Sequence, residues 1–232
     1  MPKDFNKLQK TVNYSFKNNN LLKQAMTHRS YINEHPEFEL GHNERLEFLG
    51  DAVLEIVVTE YLYHNFPHTP EGDLTDWRAS LVNAKILAEI AKDISLEENL
   101  YLSKGEEKDN ESKARQYILA NAMESLIGSI YLDGGIEPAK EFIHTFILSR
   151  LDHILKNRLY LDPKSHFQEK AQEFVSITPH YKVISESGPD HNKIFEVGLY
   201  LQDDLIAVGK GSSKQEAQVS AAAQGLINKG WK

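Results

Sequence analysis

The chain has 232 residues and no cysteine. Disulfides and thiolate zinc sites are thereby excluded, and a reducing compartment fits. No window approaches the length of a membrane span, and the opening Met1-Pro-Lys-Asp-Phe-Asn-Lys7 has no apolar signal-peptide core. A cytoplasmic protein without a membrane partner is expected. A zinc-binding histidine pair is missing too: His64 and His68 are close in sequence, but Pro67 stands between them and breaks the helix that would align them on zinc. An excess of positive charge is also lacking, with 26 Lys+Arg against 34 Asp+Glu and a net charge of −8. That balance provides no global field for a polyanion. Its distribution is uneven, because residues 163–232 hold 8 Lys against 8 Asp+Glu and the whole deficit lies in residues 1–162. Nucleic acid would have to be held by local basic clusters.

Hydrophobic residues make up 41% and charged residues 26%, ordinary values with chain enough for one large domain or two modest ones. The most informative stretch runs from Gly41 to Glu55 and heads an apolar-periodic segment reaching Phe66, just before Pro67. At about 100° per residue, Glu44, Glu47, Asp51 and Glu55 share one stripe of a helix. Leu49, Val53, Ile56 and Val57 are expected on its core side. Like charges at this spacing repel by a few tenths of a kcal/mol each, roughly. The helix places no Lys or Arg on the stripe, since Arg45 points away. A solvated acidic face is one reading, and a bound divalent cation is the other. Gly50, mid-helix at a cost of about 1 kcal/mol relative to Ala, points to a backbone or ligand in close approach.

A second informative helix is predicted from about Arg115 to Leu132, with Asn121 and Glu124 set among Ile118, Leu119, Met123, Leu126, Ile127 and Ile130. Polar groups in so apolar a helix need partners. They either make one helix–helix hydrogen bond or complete an oxygen-ligand set with Glu47 and Asp51. Oxygen donors without Cys or clustered His favour a hard cation such as Mg²⁺ or Mn²⁺.

The other segments before residue 155 read as helices. Two short ones lie within Phe5–Met26, a loop extends to Leu40, one helix spans Leu74 to Ile94, an exposed loop covers 101–114, and a last helix spans about Glu137 to Leu155. The texture changes at 156–162, which lacks the Gly/Ser richness of a floppy linker. A helix from Lys164 to Val175 then precedes strands at His180–Ser187, Lys193–Leu201 and Leu205–Gly209, with a final helix after Gly211-Ser-Ser-Lys214. In the second strand Phe195, Val197, Leu199 and Leu201 alternate with Glu196, Gly198 and Tyr200.

The run His42-Asn-Glu-Arg-Leu-Glu-Phe-Leu-Gly-Asp51 resembles the signature of bacterial ribonuclease III, and the α-β-β-β-α tail resembles a double-stranded-RNA-binding domain. Together the two cover nearly the whole chain. The resemblance implies an all-α N-terminal endonuclease and dimerisation domain (1–155), a linker (156–162) and a small α+β RNA-binding domain (163–232). It implies a homodimer, formed through the Phe48-Leu49 side of the signature helix, that cuts double-stranded RNA with no small-molecule cofactor. The products would carry 5′-phosphate and 3′-hydroxyl ends, and ribosomal RNA precursors and structured messages would be the substrates. Carried over residue by residue, the metal set is Glu47, Asp51, Asn121 and Glu124, with Mg²⁺ expected and Mn²⁺ as a substitute. Asp51 and Glu124 are the expected catalytic residues. RNA contacts fall on Glu44, Gln168, Glu169, Gln172, His191 and Lys214. Two positions depart from the family pattern. Asn121 stands where Asp is usual, predicting weaker metal binding, and Gln215 stands where a second Lys often follows Lys214. The alternative is a double-stranded-RNA-binding protein whose cleavage is weakened or lost through Asn121.

Overall fold

The structure is a computed structural model describing residues 3–108, 112–189 and 193–231. The chain divides into two compact units, Met1–Tyr160 and Leu161–Lys232.

In the first unit, helices α1 (Asn6–Thr11) and α2 (Asn19–Ala25) lead into α3 (Arg29–Glu34). The region before Leu40 is thus not all loop, because the His28 side chain accepts from the Ser30 N–H and caps a further helical turn. Next come α4 (Glu44–Asn65), α5 (Glu71–Val82) and α6 (Ala84–Asp93). The single helix expected over Leu74–Ile94 is in fact two. Asn83 adopts an extended conformation (φ −73°, ψ 155°) and its side chain accepts from the Ile86 N–H, ending one helix and capping the next. Glu71-Gly72-Asp73 forms the first turn of α5 after Pro70, where acidic residues suit the helix dipole. Helix α7 (Lys113–Gly134) starts at a Ser112 cap and stops at Gly135, φ 87°. Beyond it, α8 (Ile136–Phe146) and α9 (Leu151–Lys156) flank a short 3₁₀ turn, which divides the last expected helix.

The core is built mainly by α4 against α7. Leu46, Val53, Leu54, Val57, Val58 and Leu62 pack with Ile118, Leu119, Met123, Leu126, Ile127 and Ile130. Ile56, expected inside, is 59% exposed; Phe48, on the side expected to dimerise, is 81% exposed. Tyr101 and Leu102 are buried, and Tyr101 forms a bridge with Thr27, so the predicted exposed loop is anchored at its start. Residues 157–159 fold back onto α9, with the Leu159 N–H donating to the Ile154 carbonyl.

In the second unit, α10 (Pro163–Val175) is capped by Asp162 and followed by β1 (His180–Ser187), β2 (Ile194–Leu201) and β3 (Asp204–Gly211) in an antiparallel sheet of order β1-β2-β3. Helix α11 (Lys214–Lys229) closes the unit. The period-two alternation of β2 sends Val197, Leu199 and Leu201 inward, and Leu199 and Leu201 meet Phe167, Ala171, Ala221 and Ala222. Among the described residues no helix is long and apolar enough to cross a membrane.

Candidate active site

Two glycines bring the chemistry together. A Cβ on Gly50 of α4 would run into the Glu124 carbonyl of α7 and lie 2.9 Å from the Gly128 nitrogen. A Cβ on Gly128 would strike the Leu46 carbonyl in return. The two backbones therefore touch where α4 and α7 cross, which is the close approach that Gly50 signalled. Gly128, sitting equally oddly in an apolar run, is the same signal on the other helix. The contact is locked just upstream. The buried Asn43 donates from its side chain to the Ala25 carbonyl and from its backbone to the Thr27 carbonyl, while the Ser125 hydroxyl lies 3.3 Å from the Asn43 carbonyl.

This crossing sets Glu47 and Asp51 beside Asn121 and Glu124. Glu124, half-buried, has its carboxyl pushed up to about 8, first by burial and then by the charges of Asp51 and Glu47. Burial also raises Glu47, reinforced by Glu44 and Asp51, while a side-chain hydrogen bond from Asn121 pulls the other way. Among the described residues, none of Glu47, Asp51 and Glu124 is in an ion pair, and no three His, Asp or Glu side chains close into a ready metal cage. The four expected metal residues thus converge as three carboxylates and one neutral amide.

The ends of the acidic stripe differ from its middle. Glu44 pairs with Arg29 from α3 (Nη1–Oε1 3.3 Å) and faces His42 Nδ1 at 3.7 Å. Glu55 pairs with Arg78 from α5 at 3.0 Å, and the same guanidinium donates to the Thr59 hydroxyl at 3.0 Å. Cationic relief therefore comes from other helices and, among the described residues, reaches the two ends and not the middle. Sequence reasoning missed both arginines, because periodicity within one helix says nothing about cations brought in by its neighbours.

In the second unit Gln168, Glu169 and Gln172 are exposed along α10. Lys214, at the start of α11, is exposed but pairs with Glu186 at 3.2 Å and lies 5.6 Å over the Phe195 ring. Ser213 caps α11, and Glu216 accepts from the Ser212 N–H, so part of this helix start is occupied by the chain's own groups. His191 lies outside the described residues.

A ribonuclease-III-like family model matches residues 18–151, and a double-stranded RNA binding motif matches residues 163–229. The chain belongs to the ribonuclease III family. Ribonuclease 3 of Carboxydothermus hydrogenoformans is 44% identical over 219 residues, covering 94% of this chain and 93% of that protein. Ribonuclease 3 of Dehalococcoides mccartyi is 40% identical over 223 residues, covering 96% and 94%. Among solved structures, the nuclease domain of ribonuclease III from Campylobacter jejuni is 41% identical with a TM-score of 0.55, covering 64% of this chain and 96% of that one. A second structure of that domain describes flexibility in a region involved in its dimer formation. With a ribonuclease III nuclease domain followed by a double-stranded-RNA-binding motif, the chain is an endoribonuclease of double-stranded RNA.

Proposed function

We propose that cleavage depends on a divalent cation, Mg²⁺ with Mn²⁺ as substitute, held by Glu47, Asp51, Asn121 and Glu124. The observation that carries this is geometric: Glu47, Asp51 and Glu124 meet across the α4–α7 crossing with no ion pair among the described residues, and Glu124 is pushed up by burial and by the charges of the other two. Oxygen-only donors suit a hard ion. Such a cation, when bound, supplies the charge that activates water and stabilises the departing 3′ oxygen. The chain's own groups hold the geometry. Asp51 and Glu124 face the reacting phosphate from two helices, while Asn121 steadies the Glu47 carboxylate and offers its amide oxygen. Because that oxygen carries no formal charge, this site needs more Mg²⁺ than one with Asp at 121.

The working unit is a homodimer through the Phe48 side of α4, where Phe48 and Ile56 leave apolar surface uncovered. Each centre cuts one strand, leaving 5′-phosphate and 3′-hydroxyl ends. The substrates are ribosomal RNA precursors and structured messages, and the location is cytoplasmic. Gln168, Glu169, Gln172 and Lys214 grip the duplex by shape and phosphate.

The deciding experiment is cleavage of end-labelled duplex RNA under Mg²⁺ titration by wild type, Glu124→Ala and Asn121→Asp. Wild type cuts, Glu124→Ala does not, and Asn121→Asp needs less metal. If wild type binds but stays silent at every Mg²⁺ and Mn²⁺ level while Asn121→Asp cuts, the chain is an RNA-binding protein on a disabled nuclease.

A further inference from the structure

The acidic stripe of α4 carries two arginine–carboxylate pairs, one at each end, and an unpaired middle. Glu44 and Glu55 are eleven residues apart, roughly 16 Å along the helix. Arg29 comes from α3 and Arg78 from α5, and between them lie Glu47 and Asp51, which have no ion pair among the described residues. A site of this charge faces a problem with its substrate: it must admit a phosphate backbone to a cluster of carboxylates. Charges within about a Debye length act on the incoming strand, so cations at the edges matter.

We infer that Arg29 and Arg78 are substrate-positioning residues that take RNA phosphates on either side of the cleavage centre, each held at its post by the acid it pairs with. This rests on the nuclease reading of the same site. A guanidinium has five N–H donors in a fixed fork. Among the described residues, Arg29 is engaged through Nη1, on Glu44, and Arg78 through Nε and Nη1, on Glu55 and Thr59. Each fork therefore keeps donors for a phosphate while its direction is fixed by the carboxylate. The Arg29 side chain is 68% exposed and that of Arg78 35%, so both can be reached. The Glu44 carboxylate, which accepts and does not donate, complements Arg29 by taking a hydroxyl donor such as a ribose 2′-OH. One such pair would thus read both the charge and the sugar of the strand. The bland alternative is that the arginines merely quiet the repulsion along α4.

The two are separated by salt dependence. Each phosphate contact contributes about one unit to the slope of log K against log salt, and neutralising a mere structural pair contributes none. Full-length protein carrying Glu124→Gln to prevent cutting is titrated into labelled duplex RNA across a salt series, with and without Arg29→Gln, Arg78→Gln, and their Lys counterparts. The stabilisation given by Mn²⁺ in thermal unfolding is recorded without RNA for each arginine variant on the otherwise native chain, with Glu124 in place. The expected result is weaker binding and a slope shallower by about one per lost contact in each Gln variant, recovery of slope in the Lys variants, and an unchanged Mn²⁺ response. An unchanged slope overturns the inference, and so does a slope change accompanied by loss of the Mn²⁺ response, since the arginines would then be shaping the acidic site itself. Failure of the nuclease reading shows elsewhere, in a wild type that binds duplex RNA but never cuts it.

Discussion

Gly50 of α4 and Glu124 of α7 meet backbone to backbone, with no room for a single methyl between them. The same contact that closes the core thus fixes the spacing of Asp51 and Glu124. Gly50→Ala should force the helices apart, destabilising the fold by about 1–3 kcal/mol as overpacking does. Cleavage should fall far more than stability does. Urea unfolding and cleavage rates, measured on the same preparation, check this; an Ala variant that cuts normally would refute it.

The raised Glu124 carboxyl makes metal-free stability depend on pH. Its folded value, about 8, lies above the ordinary 4.5. Between those values the folded state binds the proton more tightly than the unfolded one, so stability falls as pH rises through this window and levels off above it. Glu124→Gln should flatten that fall, and saturating Mg²⁺ should make it shallower. Thermal unfolding in chelator across the pH range provides the comparison.

Asp133 ties the end of α7 to the N-terminal segment by accepting from Tyr14 Oη at 2.8 Å, the Lys17 N–H at 2.9 Å and the Asn18 N–H at 2.8 Å. Burial raises its carboxyl, but the hydrogen bonds outweigh that and hold it below the usual carboxylate range. Asp133→Ala should cost about 1.5–3 kcal/mol. The wild-type contribution is present above the unfolded carboxyl value and disappears as pH falls through the lower folded one. Acid titration of Asp133→Asn should accordingly lack that part of the loss.

Lys214 shares its charge with Glu186. An exposed pair of this kind is worth about 0.2–1 kcal/mol, so Glu186→Gln should tighten duplex RNA binding by at most about fivefold. Fluorescence anisotropy at fixed salt reads the change directly. Lys214→Gln should weaken binding in the same assay, and a Lys214→Gln protein that binds as wild type does would remove Lys214 from the RNA-binding surface.

Periodicity within single segments carried most of the architecture. The acidic stripe, the polar Asn121 and Glu124 in an apolar helix, and the alternation of Phe195 to Leu201 all appear in the structure where their spacing put them. What escaped was decided by partners distant in sequence or by one side chain bonding to the backbone. Asn83 divides a helix whose apolar rhythm runs on unbroken, because its carboxamide replaces the lost helical bond. Ile56 follows the rhythm of a core residue and yet faces outward, since α7 covers the Leu46–Val53–Val57 side instead. Arg29 lies fifteen residues from the acid it pairs with and Arg78 twenty-three, so no pattern within α4 could have revealed either.

The glycine crossing also dictates when the carboxylates of α4 can meet their neighbours on α7. Glu47 and Asp51 are synthesised early, and their partners on α7 only some seventy residues later. Until that second helix has left the ribosome and docked, the carboxylates of α4 stand without Asn121 and Glu124 beside them. Domains assemble as units during synthesis. Chain order alone thus holds this crossing back until past the midpoint of the chain.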